Sequence, residues 1–175
     1  MDNIADLYTD REIAYMFSEN PGMSAEFDSD FLGFSQLYAA ASRVLPKRFR
    51  IIDIGCGLGF QSRFFSEFDG YTGVDLFQMG SSSNKNAWEL FGGGVPGEYI
   101  TCDGADYMRN LIWKEGWDNL EDTLIIISAV PGERIPDMAR RLFPNTLIWY
   151  PGEEAKATGK WADALLHELN DILDM

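Results

Sequence analysis

Apolar positions along the chain alternate between two rhythms. From residue 31, Phe31, Phe34, Leu37, Tyr38, Ala41 and Leu45 recur at three- and four-residue spacings. That is the period of one helix face, and Pro46 closes the helix. Short apolar runs then predict strands: Phe49–Ile54, Tyr71–Asp75, Glu98–Cys102, Thr123–Val130 and Thr146–Tyr150. Between them lie helical segments at 60–68, about 84–91 (opened by Ser81–Ser83 and closed by Gly92–Gly94), 105–115 and about 136–143. Trp161, Leu165, Leu169 and Ile172 line one stripe of a last helix over 161–173. The run Thr123–Val130 is continuously apolar, as suits a central strand covered on both faces.

Five strands alternating with helices predict a Rossmann-like three-layer α/β sandwich. The sheet should be mostly parallel, with right-handed crossovers. The reading is one domain over residues 1–175: a helical N-terminal segment (1–48), a core (49–150) and a C-terminal helix (151–175). The first 30 residues are polar and acidic with scattered aromatics. Tyr8–Phe17 is a short helix candidate and Asn20-Pro21-Gly22 a turn. In such sheets ligands bind beyond the carboxyl ends of the strands, so the residues just after each strand are where chemistry is sought.

The turn after the first strand reads Asp53-Ile54-Gly55-Cys56-Gly57-Leu58-Gly59. Glycines there adopt positive φ without steric cost and let a ligand approach the backbone. A dinucleotide fingerprint, G-x-G-x-x-G, does not fit, because its third glycine position is Phe60. An acid closing an apolar strand and followed by three alternating glycines resembles instead the first motif of class I S-adenosylmethionine-dependent methyltransferases. The resemblance covers about residues 31–150 and implies a cofactor turn built from Asp53, Gly55, Cys56, Gly57 and Gly59. It implies S-adenosylmethionine as cofactor and S-adenosylhomocysteine as product.

The next two strands carry acids at the matching places. Asp75 ends the second strand, where the family carries its ribose-binding acid; a solvated strand end is the other reading. Asp103 follows the third strand, where the family's acid accepts from the adenine amino group. It reads equally well as the N-cap of the next helix. Leu76, Phe77, Cys102 and Gly104 are candidate adenine neighbours, with core packing the alternative for Leu76 and Phe77. Ser128, at the end of the fourth strand, completes the candidate cofactor set. No catalytic residue is singled out.

Two features depart from the family pattern. The fourth strand ends Ser128-Ala129-Val130-Pro131-Gly132, without the Asn/Asp-Pro-Pro-aromatic motif that holds a target nitrogen, so adenine or glutamine N-methylation is disfavoured. The antiparallel edge hairpin that the family usually adds is expected to be missing. Its edge would need cover from the final helix, a second copy or a protein partner. The acceptor pocket is expected from the 128–132 loop, the aromatics Tyr15, Phe17, Phe27 and Phe31, and the turn Tyr150-Pro151-Gly152-Glu153. Glu133 and Glu153 are candidate bases, or simply solvated carboxylates.

Composition narrows the function classes. Apolar residues make up 46% and the formal charge is −14. Half of that charge lies in the first 42 residues, which repels phosphate backbones and disfavours nucleic-acid substrates. Lys47-Arg48-Phe49-Arg50 reads as a solvated strand entry. Cys56 and Cys102 lie in no metal-ligand pattern, and His167 reads as a helix-surface residue, so no metal site is expected. No apolar run approaches the roughly 18 residues of a membrane span, and the acidic start lacks the features of a secretory signal. A cytoplasmic enzyme acting on a small-molecule or protein acceptor is the leading expectation. A non-catalytic methyltransferase-like binding or interaction module is the alternative. A nicotinamide-dependent oxidoreductase is disfavoured by the glycine spacing.

Overall fold

The computed structural model describes residues 27–57, 59–76, 97–128, 130–150 and 152–173, with side chains other than those of 27–35, 60, 172 and 173. The expected elements at 8–17, 20–22 and 84–91, together with Leu58, Phe77 and the acceptor-side aromatics, lie outside that description. Helix α1 (Phe27–Val44) leads into β1 (Arg50–Ile54), a 3₁₀ helix (Phe60–Phe65) and β2 (Gly70–Asp75). Then come β3 (Glu98–Thr101), α2 (Gly104–Glu115), a 3₁₀ turn (Trp117–Asn119), β4 (Thr123–Ser128), α3 (Arg134–Leu142), β5 (Thr146–Trp149), β6 (Lys156–Thr158) and α4 (Ala162–Leu173).

The strands form one sheet in the order β3-β2-β1-β4-β5-β6. The first five are parallel; Ile52, for example, lies between Thr72 on β2 and Ile125 on β4. The period-2 alternation of the central strands splits the core into two layers. Ile51, Leu124 and Ile126 face α1, α4 and the phenylalanines around the 3₁₀ helix. Ile52, Ile54, Ile125 and Ile127 face α2 and α3. Between their ends β1 and β4 are apolar apart from Asp53, whose carboxylate is buried. This is the expected Rossmann-like three-layer sandwich, and its strand order reverses direction between β1 and β4, the place where such sheets open a ligand crevice.

Beyond residue 150 the structure departs from expectation. A sixth strand, β6, pairs antiparallel with β5, with Leu147 opposite Ala157. It is held by the Thr146 and Thr158 hydroxyls at 2.6 Å. Among the described residues the edge therefore carries one antiparallel strand in place of a two-strand hairpin. Lys156-Ala157-Thr158 is too short to show a period of its own; its extended conformation follows from pairing with β5. The segment at 60–68 is the other difference, a 3₁₀ helix in place of a longer helix. Its N-cap, Gly59, is left-handed and offers no side-chain cap, and Phe65 and Phe68 turn inward to pack edge-on.

The basic run before β1 is taken up structurally. Arg50 forms a two-pronged pair with Glu115 at 2.8 and 2.7 Å. Arg48 meets Asp122 at 3.2 Å, and Lys47 donates to the Ser42 carbonyl at 3.0 Å. His167 is on the surface of α4, 3.3 Å from Asp171, and the two cysteines are unpaired thiols. Among the described residues no helix is long and apolar enough to cross a membrane.

Candidate cofactor and acceptor site

The glycine turn leaves β1 at its carboxyl end and is stitched to β2. The amides of Gly55 and Cys56 both donate to the Val74 carbonyl, at 2.7 and 3.3 Å, and Gly59 N–H closes the turn on the Cys56 carbonyl at 3.1 Å. Gly55, Gly57 and Gly59 all have positive φ, at 80°, 56° and 79°. They differ in what surrounds them. A Cβ at Gly55 would sit 2.6 Å from Val130 Cγ2, and one at Gly59 would sit 2.5 Å from Tyr99 Cε1. At Gly57 no atom of the described residues lies within 4 Å of that position. Two glycines therefore admit core side chains beneath the turn, and the middle one presents backbone that no described side chain covers.

Asp75, half-buried at the end of β2, faces this bare stretch. Its Oδ2 accepts from Gly57 N–H at 3.0 Å. Two of the candidate residues, 18 positions apart, are thus brought into contact by the parallel pairing of β1 with β2. Leu76, next in the chain, is 61% exposed, a side chain without a place in the core.

Asp103 caps α2: its Oδ1 accepts from Ala105 N–H at 2.9 Å and Asp106 N–H at 3.2 Å. Its other oxygen lies 3.9 Å from Arg134. The capping role weighed for this residue is therefore present. Gly104 is required by packing, since a Cβ there would meet Ile54 Cγ2 at 2.6 Å. Cys102 is half-buried and its thiol donates to the Asp103 carbonyl at 3.2 Å. Burial pushes both thiols toward the neutral form, Cys56 strongly, so neither is an activated nucleophile.

Asp53 and Ser128 lie below the surface. Asp53 is fully buried and accepts three hydrogen bonds: Tyr38 OH to Oδ1 at 2.9 Å, Tyr71 OH to Oδ2 at 2.5 Å and Gln61 Nε2 to Oδ2 at 2.7 Å. Ser128, also buried, shares the Tyr38 hydroxyl at 2.9 Å. Burial pushes the Asp53 carboxyl up to about 6; its three donors pull it back and the Asp75 charge adds to the rise. Asp53 thus supports the turn from beneath.

Tyr38, Tyr71 and Gln61 were not among the sequence candidates. Tyr38 sits in the apolar stripe of α1 and reads as core. The available signal was Asp53 itself, because a carboxylate inside an apolar strand calls for donors.

A cleft of about 220 Å³ opens at the carboxyl ends of β4 and β5. Its floor is Ile127, Val130, Pro136 and Ile148, and its rim includes Glu133, Tyr150 and Glu153. It adjoins the glycine turn through Val130, which fills the space beneath Gly55. Of the two turns expected at the acceptor side, 128–132 and 150–153, Val130, Pro131 and Gly132 of the first and Tyr150 and Glu153 of the second line this one cleft.

No protein-family model and no curated protein matches the chain. Similar solved structures include three S-adenosylmethionine-dependent methyltransferases. Magnesium protoporphyrin IX methyltransferase from Synechocystis PCC 6803 with bound cofactor is 16% identical; the alignment covers 95% of this chain and 85% of that one, with a TM-score of 0.49. A methyltransferase from Thiobacillus denitrificans in complex with S-adenosylhomocysteine is 18% identical, over 69% of this chain and 51% of that one, with a TM-score of 0.43. The plantazolicin methyltransferase in complex with a triazolic desmethyl analogue and S-adenosylhomocysteine is 16% identical, over 77% and 49%, with a TM-score of 0.43. The chain spans about half the length of the last two.

Proposed function

We propose that the chain binds S-adenosylmethionine at the β1–β2 end of the sheet and transfers its methyl group to a small-molecule or protein acceptor held in the β4–β5 cleft. The observation that carries this reading is the pairing of Gly57, uncovered by any described residue, with the Asp75 carboxylate drawn against its amide at 3.0 Å. An open glycine face admits the cofactor's methionyl part close to the backbone, and an adjacent carboxylate suits two vicinal ribose hydroxyls. Leu76 offers an exposed apolar surface for the adenine ring, and the Asp103 Oδ2 is the candidate acceptor for its amino group. Cys56, Gly55, Gly59, Cys102, Gly104, Ser128 and Asp53 shape and support this surface.

When bound, the cofactor supplies a methyl group already activated on a sulfonium, with a neutral leaving group. The protein's share is then mostly positioning. In this reading the apolar floor of the cleft packs against the acceptor, and the exposed rim carboxylates Glu133 and Glu153 are the candidate bases for its proton. Asp75→Asn separates the ribose role from the turn's own hydrogen bond, since the amide oxygen still accepts from Gly57 N–H. Calorimetric titration with S-adenosylhomocysteine should show affinity reduced by about tenfold or more, the loss of one charge-assisted bond. An unchanged affinity would remove Asp75 from the site.

One feature favours a non-catalytic module as the second reading. The rim carboxylates Glu133, Glu153 and Glu154 are all exposed, so the described part of the cleft holds no buried acid or base. Tight cofactor binding without transfer to any acceptor in a broad screen would select that reading.

A further inference from the structure

Gln61 makes two hydrogen bonds through one amide nitrogen. Nε2 donates to Asp53 Oδ2 at 2.7 Å and to the Cys56 carbonyl at 2.7 Å. A side-chain amide has two N–H groups, so both are used. The Cys56 carbonyl also receives Gly59 N–H at 3.1 Å. A trans peptide is planar, and its C=O and N–H point in opposite directions. Holding the Cys56 oxygen toward Gln61 therefore directs the Gly57 N–H the other way, where it meets Asp75 Oδ2. Glycine at 57 gives this hold its weight, because it has no Cβ to bias the orientation of the adjoining peptide and no described residue packs above it.

We propose that Gln61 is a positioning residue for the cofactor: by fixing the Cys56–Gly57 peptide from below, it presents the Gly57 amide and the Asp75 carboxylate in their binding arrangement without touching the ligand. This rests on the cofactor reading above. Asp53 is the anchor in this device. It lies at the end of β1, buried, and it orients the Gln61 amide so that the second N–H reaches the loop. Tyr71 donates to the same Asp53 oxygen at 2.5 Å, and its hydroxyl makes no bond to the described residues of the loop. It is the natural control.

The test is calorimetric titration of wild type, Gln61→Met and Tyr71→Phe with S-adenosylhomocysteine, each with a thermal melt. Methionine keeps the length of glutamine and removes both donors. Gln61→Met should bind about tenfold or more weakly, while Tyr71→Phe, which also removes a buried bond to Asp53, should stay within about twofold of wild type even where its melting temperature falls. Should Gln61→Met fail to fold, Gln61→Asn, one carbon too short to reach both acceptors, takes its place with the same expected loss. Wild-type affinity in a folded Gln61 variant, or an equal loss in Tyr71→Phe, overturns the positioning role. Absence of binding to wild type would instead overturn the cofactor reading and this inference with it.

Discussion

Asp53 gives the chain a pH signature of definite sign. Its carboxyl is raised from 3.8 in the unfolded chain to about 6 in the folded one. Between those values the native state holds a proton that the unfolded state has released. Stability must therefore fall as pH rises through this window. The contribution is fully present below about pH 4 and amounts to roughly 3 kcal/mol lost by about pH 6.5. Urea unfolding of wild type and Asp53→Asn across pH 4–7 measures it; the stability of wild type relative to Asp53→Asn should fall as pH rises, and a difference independent of pH would refute the assignment. Glu115, paired with Arg50, is shifted downward and has the opposite sign, losing its contribution as pH falls.

The glycines of the turn also separate at this level. Gly59→Ala meets Tyr99 at 2.5 Å as well as an unfavourable φ of 79°, whereas Gly57→Ala meets only the backbone strain. Urea unfolding should place Gly57→Ala about 1–2 kcal/mol below wild type and Gly59→Ala clearly lower. Equal losses would mean that Tyr99 simply moves aside. The glycine spacing was readable in the sequence because it reflects a local backbone need. Which glycine is left uncovered was not, because that depends on Tyr99 and Val130, 40 and 71 or more residues from the turn in sequence.

Among the elements, α2 poses the clearest question. Asp103 caps it and also occupies the position that the family motif gives to an adenine contact. Asp103→Ser keeps a capping oxygen and removes the outward carboxylate oxygen; Asp103→Ala removes both. If Asp103 only caps, thermal unfolding should show Asp103→Ala about 1 kcal/mol less stable with Asp103→Ser restored, and cofactor affinity should follow stability. If it also binds adenine, both variants lose affinity and only the alanine loses stability.

The elements with strong periodicity, such as α1, β1, β4 and α4, were legible because burial imposes their pattern. β6 was not. Its three residues carry no pattern, and its conformation is set by an unpaired neighbour edge and by Gly159, whose φ of 103° leaves it within 2.3 Å of the Pro144 carbonyl at its would-be Cβ.

For the molecule as a whole, strand order decides where chemistry sits. The reversal between β1 and β4 puts the glycine turn beside the cleft at the ends of β4 and β5, and the proposed methyl transfer uses that adjacency. The alternation of strands and helices made that arrangement foreseeable, and residues 130–132 of the predicted 128–132 loop, with Tyr150 and Glu153 of the predicted 150–153 turn, line the cleft. The buried support under the turn was hidden because Tyr38, Gln61 and Tyr71 come from three separate elements that only the packed fold brings together around Asp53. The charge of −14 weighs against a nucleic-acid acceptor in the proposed reaction. The most direct measurement is calorimetric titration of the wild-type chain with S-adenosylmethionine and S-adenosylhomocysteine. Saturable one-to-one binding of both in the micromolar range is the expected result; no heat of binding from either, with a folded protein in the cell, would contradict a cofactor site at the glycine turn.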